Sequence, residues 1–191
     1  MTMAGAFFFL LPLAFFSALI HHRIPPVSAC PNVPSMTVEA ACEKATGTLL
    51  MYELCKDALR DVTYPSNGVD LYALVGAKRA LASYDDTARA AGTLRGNASL
   101  PGDERDAYAS CEESYRAATD TMDRVAAALV GCRFLDDGDD LGQVYRDGVA
   151  QVEGCRDRVM KLPASPLYAR SLVDRNLAVL AYFLGKLLGV Q

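Results

Sequence analysis

Apolar positions recur every three or four residues through most of the chain, a pattern that predicts α-helices. The pattern covers four long segments, at about 69–95, 103–131, 141–162 and 165–188. Each segment keeps its apolar seam for about three or four heptads before Gly, Pro or a polar run interrupts it, which is too short for an extended coiled coil. No segment alternates with the period of two expected of a strand. Because the connections are short, we predict an all-α fold, an antiparallel up-down four-helix bundle.

The second and third of these helices have the most regular seams. The second carries one apolar face, made of Tyr108, Cys111, Tyr115, Ala118, Met122, Val125, Leu129 and Cys132. The third carries a similar face, made of Leu141, Tyr145, Gly148, Val152, Cys155, Val159 and Leu162. This spacing is typical of residues that pack against a partner helix, so we predict that both faces are buried.

The first and fourth helices are assigned buried faces by the same rule. The face of the first contains Leu71, Leu74, Val75, Leu81, Ala82 and Ala88. The face of the fourth contains Leu172, Asn176, Val179, Leu180, Phe183 and Leu187. A buried asparagine needs hydrogen-bond partners and often fixes helix register. We therefore interpret Asn176 as a structural residue and not as a ligand-binding one.

Residues 1–29 are predicted to be a removable signal peptide. Their apolar run, at 6–20, is too short to span a bilayer comfortably and is followed by two prolines. Small residues at 27–29 then complete a cleavage signal before Cys30. We expect a secreted protein that keeps no membrane segment once this peptide is removed.

Two further regions precede the bundle. Residues 30–39 carry two prolines and polar side chains, and are predicted to be an extended arm. Residues 40–60 are predicted to form short helices with a break at 46–48, where Gly follows Thr. The expected unit is an N-terminal helical hairpin followed by the bundle, in a single domain at 40–190.

The composition argues against an enzyme. The two histidines, His21 and His22, belong to the predicted signal peptide. The mature chain then lacks the imidazole needed for a Ser–His–Asp triad, a Cys–His pair or a histidine metal site. The formal net charge of −4 does not suit nucleic acid, which needs clustered Lys and Arg. We predict a binding protein without catalytic residues, cofactor or metal.

An acidic run before the third helix invites a calcium interpretation. Residues 136–140 read Asp-Asp-Gly-Asp-Asp, but they lack the ligand spacing, the sixth-position Gly and the twelfth-position Glu of an EF-hand loop. We interpret the run as a solvated turn whose last residue, Asp140, caps the third helix.

Secretion makes disulfides the expected state of the six cysteines. Cys42 and Cys55 are neighbours in sequence and form the natural local pair. Cys111 and Cys155 lie on the seams of two consecutive helices, so a bond between them is attractive if the second helix ends near Gly131.

Cys30 and Cys132 remain, and they either pair with each other or stay free. A separate feature, the Asn97-Ala98-Ser99 sequon in a polar stretch with Gly, predicts N-glycosylation of Asn97 in a surface loop.

Several of these segments resemble one protein family, the plant inhibitors of invertase and pectin methylesterase. The resemblance covers most of the mature chain and is strongest in the branch of invertase-inhibitor-like pollen allergens. It rests on residues 41–46, 52–59, 69–74, 110–115, 154–157, 176–180 and 186–189. It implies a four-helix bundle after a hairpin, with disulfides Cys42–Cys55 and Cys111–Cys155.

The resemblance also implies a function. Members of this family inhibit pectin methylesterase, which removes methyl esters from pectin, or acid invertase, which splits sucrose. Residues 101–105 lack the Pro-Lys-Phe motif of many invertase inhibitors. We therefore expect an inhibitor that binds pectin methylesterase about 1:1 in the cell wall and occludes its active-site cleft. The alternatives are an inhibitor of cell-wall or vacuolar acid invertase, and a secreted bundle that inhibits neither enzyme. The residues that contact the partner stay unknown.

Overall fold

The computed structural model describes residues 30–63, 66–135, 140–162 and 164–190. The predicted signal peptide and most of the acidic run lie outside the described residues. The described part contains α-helices and one pair of very short strands. In chain order these elements are β1 (Ser35–Met36), α1 (Val38–Ala45), α2 (Leu49–Ala58), β2 (Asn67–Gly68), α3 (Val69–Arg95), α4 (Gly102–Val130), α5 (Leu141–Val159) and α6 (Pro166–Lys186).

Helices α3 to α6 form the predicted antiparallel bundle. Each of them packs against two of the others, so that α3, α4, α5 and α6 close into a ring around one core. Helices α1 and α2 form the predicted hairpin, which packs against α3 and α6. The all-α fold, with an N-terminal hairpin and disulfide staples, is therefore confirmed.

Local sequence explains where the bundle helices begin and end. Gly131 ends α4, as predicted. Asp140 caps α5 as predicted, since its side chain accepts a hydrogen bond from the amide of Gln143 at 2.9 Å. Ser165 caps α6, and Pro166 takes the first helical position, where a missing amide hydrogen costs nothing.

The predicted seams of α4 and α5 are confirmed. Their residues are buried from Tyr108 to Leu129 on α4 and from Leu141 to Val159 on α5. Only the last members, Cys132 and Leu162, are partly exposed. Five buried tyrosine rings help to fill the bundle interior, at positions 72, 84, 108, 115 and 145. A packed interior of this kind does not favour a lipid-carrying function.

The face predicted for α3 lies beside the buried face, since Leu74, Val75, Leu81 and Ala88 pack against the core only from its edge. Its assigned leucines are only partly buried, and Ala82 is exposed. The buried face consists mainly of small residues and tyrosines, namely Tyr72, Ala73, Gly76, Ala77, Ala80, Tyr84, Thr87 and Ala91. These small residues let α6 approach closely: a Cβ added at Gly76 would lie 2.9 Å from Cδ1 of Leu184.

The face predicted for α6 is also largely wrong. Leu172 is 39% exposed and Asn176 is only partly buried, although Leu180 is buried as expected. The inner face contains Leu167, Ser171, Asp174, Ala178, Leu180, Ala181 and Leu184. Two polar residues of this helix are buried, Ser171 and Asp174, and the structural role predicted for Asn176 belongs to Asp174, two residues earlier.

The N-terminal arm is shorter than predicted and is attached to the bundle by hydrogen bonds. Residues 30–39 were expected to be extended, but α1 already begins at Val38. Strand β1 pairs antiparallel with β2, directly before α3. The hydroxyl of Tyr72 donates a hydrogen bond to the carbonyl of Met36 at 2.7 Å. The break between α1 and α2 lies at 46–48, as predicted.

Candidate functional site

Two disulfides join the cysteine pairs that the sequence favours. Cys42 on α1 is bonded to Cys55 on α2, with their Cα atoms 5.6 Å apart. Cys111 on α4 is bonded to Cys155 on α5, with their Cα atoms 4.6 Å apart. All four side chains are fully buried. The first bond closes the hairpin and the second fixes the register of two bundle helices, so both make the surface more rigid.

A third disulfide joins the two cysteines that the sequence left open. Cys30 is bonded to Cys132, 102 residues later in the chain, with their Cα atoms 5.5 Å apart. Cys132 follows α4 in the left-handed region, with φ of 55°. The bond therefore attaches the arm to the segment after α4.

The outer side of α4 carries a row of three carboxylates. Asp106, Glu113 and Asp120 are exposed and seven residues apart, which is nearly two full turns, so they lie on one side of the helix. At a rise of 1.5 Å per residue, this acidic row is about 21 Å long. Within the described part of the chain, none of the three forms a salt bridge with a basic side chain. The acidic row is thus a set of negative charges held in line by a rigid helix.

A shallow groove lies between α5 and α6. Its volume is about 320 Å³, and its apolar lining residues are Val149, Ala150, Val179, Tyr182 and Phe183. Arg146 and Arg175 line it as well, and Nε of Arg175 donates to Oε1 of Glu153 at 3.1 Å. This volume is at the small end of ligand-binding sites. The groove offers an apolar surface beside basic groups, in contrast to the outer side of α4.

The sequon at Asn97 lies in the connection between α3 and α4. Both Asn97 and Ser99 are exposed, and Oδ1 of Asn97 accepts a hydrogen bond from the amide of Ser99 at 3.0 Å. This is a local turn at the end of the bundle, with its side chains open to solvent.

The sequence did not identify the polar cluster in the bundle core. Asp174 on α6 is 1% exposed and accepts hydrogen bonds from Ser83 and Thr87 on α3 and from Tyr115 on α4. One sequence feature indicates this cluster: Asp174 follows Ser171 by three residues, on a helix that is otherwise rich in apolar residues. A search for buried residues that relies on apolar spacing passes over polar residues such as these.

Two other kinds of site are absent from the described ranges. No group of three or more His, Cys, Asp or Glu side chains there is arranged to hold a metal ion. Among the same residues, no helix has both the length and the apolar character needed to cross a membrane.

A comparison with solved structures finds this fold in a pectin methylesterase inhibitor from Arabidopsis, determined as a mutant form. The two structures align with a TM-score of 0.65, over 79% of this chain and 96% of that chain. Their sequences are 16% identical, so the likeness shows the fold. No protein-family model matches the chain, and neither does any curated protein sequence.

Proposed function

We propose that this chain belongs to the plant invertase and pectin methylesterase inhibitor family and inhibits pectin methylesterase. It binds the enzyme reversibly, about 1:1, and occludes the active-site cleft. The observation that carries the proposal is the fold, since the described bundle and hairpin align with nearly the whole length of a pectin methylesterase inhibitor. The sequence segments that resemble this family, between residues 41 and 189, support the same assignment.

The rigidity of the bundle favours inhibition by docking. Disulfides hold the hairpin, the α4–α5 pair and the arm, and the core is closely filled. A preorganised surface loses little conformational entropy when it binds, so more of the contact energy contributes to affinity. The protein needs no chemistry of its own to block a cleft, which agrees with a mature chain that lacks histidine.

We assign the contact with the enzyme to the acidic row of Asp106, Glu113 and Asp120. The three carboxylates are exposed, aligned and free of salt bridges to described basic residues. They therefore complement a partner that presents basic or hydrogen-bond-donating groups around its cleft. Charge complementarity of this kind raises the association rate, and salt weakens it.

The assignment is tested by neutralising the acidic row while keeping its shape. The triple variant Asp106→Asn, Glu113→Gln, Asp120→Asn should bind pectin methylesterase about tenfold more weakly at low salt, because three favourable charge interactions are lost. Calorimetry at several salt concentrations measures both the affinity and its salt dependence, and the salt dependence should become shallower in the variant.

The matched control removes three carboxylates elsewhere. Glu39, Glu43 and Asp85 are exposed on α1 and α3, and changing them to Gln, Gln and Asn alters the net charge equally. This control should bind about as well as the native chain, within roughly twofold. Equal weakening by both triple variants would show that only net charge matters. Native affinity in the acidic-row variant would place the contact on another face.

The proposed location is the extracellular space, with the cell wall as the main compartment and the vacuole as the second. Three disulfides are typical of an oxidising compartment, and the signal peptide predicted at 1–29 provides the export route. N-glycosylation at Asn97 is part of the same proposal.

A further inference from the structure

One buried carboxylate connects three of the four bundle helices. Oδ1 of Asp174 on α6 accepts a hydrogen bond from the hydroxyl of Ser83 on α3. Oδ2 accepts two more, from the hydroxyl of Thr87 on α3 at 2.8 Å and from that of Tyr115 on α4 at 2.7 Å. Asp174 and Thr87 are each 1% exposed, and Tyr115 is fully buried. The three donors are neutral, so the carboxylate has hydrogen bonds but no ion pair with them.

Two tyrosines and one arginine among the described residues interact electrostatically with the carboxylate. The hydroxyl of Tyr115 on α4 is hydrogen-bonded to Asp174, and the carboxylate also acts electrostatically on the hydroxyl of Tyr84 on α3. Arg170, one turn earlier on α6, is exposed and acts on the carboxylate from the surface. Arg170 therefore compensates only in part for the burial of a negative charge.

On α5, the other neighbour of α6, Glu153 forms ion pairs near the surface. Oε1 of Glu153 accepts from Arg156 on its own helix at 3.3 Å and from Arg175 on α6 at 3.1 Å. These groups form their own cluster at the α5–α6 seam and make no hydrogen bond to Asp174.

Burial makes Asp174 easier to protonate than an exposed aspartate. Loss of solvation raises its pKa, more than the hydrogen bonds from Ser83, Tyr115 and Thr87 lower it. Burial and the charge of Asp174 also raise the pKa values of Tyr84 and Tyr115, so both remain neutral hydroxyls. Asp174 is therefore the member of the cluster that gains a proton when the medium becomes acidic.

We propose that Asp174 is an acid-stabilised latch, whose protonation strengthens the attachment of α6 to α3 and α4. The proton comes from solvent and binds one carboxyl oxygen. The new O–H then donates a hydrogen bond, and the hydroxyl of Ser83 or Thr87 rotates to accept it. The bundle keeps its polar contacts and loses a buried negative charge. A contact that becomes stronger when Asp174 is protonated suits a protein that works in an acidic compartment. This proposal does not depend on whether the proposed enzyme target is correct.

The sign of the pH dependence follows from the direction of the shift. Because the folded pKa of Asp174 lies above its unfolded value of 3.8, the folded chain binds the proton more tightly. The stabilising contribution is complete below the unfolded pKa and is lost as the pH rises through the folded pKa. Carboxylates in surface salt bridges have the opposite dependence, so the latch must be measured as a difference between matched variants.

The first test measures the titration of Asp174 directly in the oxidised, folded chain. Carbon-13 NMR of the side-chain carboxyl should give a midpoint above 3.8. Tyr115→Phe keeps the ring and removes one hydrogen-bond donor, so the midpoint should move to higher pH. Tyr168→Phe, at an exposed tyrosine on α6, should leave it unchanged. A native midpoint at or below 3.8, or no response to Tyr115→Phe, would overturn the latch.

The second test compares thermal stability across the same pH range. The difference in Tm between the native chain and Asp174→Asn should change in favour of the native chain as the pH falls from about 7.5 to about 4.5. The neutral amide keeps the size of the side chain but cannot gain a proton. Parallel Tm curves for the two proteins would overturn the proposal. If Asp174→Asn does not fold, the NMR midpoint and its response to Tyr115→Phe decide the question alone.

Discussion

The disulfide between α4 and α5 should contribute more to stability than the one in the hairpin. Replacing both Cys111 and Cys155 with Ala opens a loop whose ends are 44 residues apart. The chain-entropy relation gives about 4 kcal/mol for a loop of this length at 25 °C. Both side chains are fully buried, so the missing sulfur atoms also leave a void that costs about 1 kcal/mol more. The expected loss is about 5 kcal/mol, comparable with the whole stability of a marginal domain.

The matched control is the double variant Cys42→Ala, Cys55→Ala. These residues are 13 apart, for which the same relation gives about 3 kcal/mol. The bond closes a hairpin that packs on the outside of the bundle, so part of that loss appears as local opening of the hairpin and not as global unfolding.

Equilibrium unfolding in urea, followed by helical circular dichroism under non-oxidising conditions, measures both losses. The midpoint should fall further for the α4–α5 variant than for the hairpin variant, by the equivalent of at least about 1 kcal/mol. Equal midpoints, or a lower midpoint for the hairpin variant, would refute the reasoning from loop length and from the position of each bond.

Two further predictions concern packing and modification. Gly185→Ala should destabilise the bundle by about 1–2 kcal/mol, because the added Cβ would lie 2.8 Å from the ring of Tyr145, and this overpacking exceeds the gain in helix propensity. Gly154→Ala should instead stabilise the bundle by up to about 1 kcal/mol, because the added Cβ would meet only Ser114 at 3.8 Å. Thermal unfolding of the two variants tests this difference. If the Tm of both variants changed in the same direction, the explanation from packing would be contradicted. Asn97→Gln should reduce the mass of the secreted protein by one N-glycan, and an unchanged mass would remove the glycosylation proposal.

The sequence predicted the helices better than it predicted which of their faces are buried. On α4 and α5 one stripe contains most of the large apolar residues and the remainder is mostly polar or alanine, so the period of the pattern identifies the inner face. On α6 apolar residues occur on every side, and Leu172 and Val173 are exposed. Such a pattern predicts a helix but does not identify which of its faces is buried.

The core of α3 was missed for a different reason. Its inner face consists largely of Ala, Gly and Tyr, whose hydrophobicity is low, while its leucines lie at the edges of the contact. Close approach between helices depends on small volume, and a scale based on hydrophobicity does not register it. Thr87 and Asp174 were missed because their burial depends on partners from other helices.

Sequence spacing predicts two of the three disulfides and not the third. Cys42 and Cys55 are close in sequence, and Cys111 and Cys155 share a seam, so local reasoning favours both pairs. Cys30 lies in an arm without periodicity, and its partner is 102 residues away. That bond follows from the path of the arm across the bundle, which only the folded structure shows.

The proposed inhibition is measured by titrating the folded, oxidised chain, beginning at Cys30, against pectin methylesterase and acid invertase from plants, in parallel at mildly acidic pH. We expect pectin methylesterase to lose its activity near one equivalent of the chain, while acid invertase keeps its activity. Loss of invertase activity alone would contradict the assigned target and favour the invertase alternative. Full activity of both enzymes, with protein shown to be helical and disulfide-bonded, would contradict the inhibitor proposal and leave a secreted bundle that binds neither enzyme.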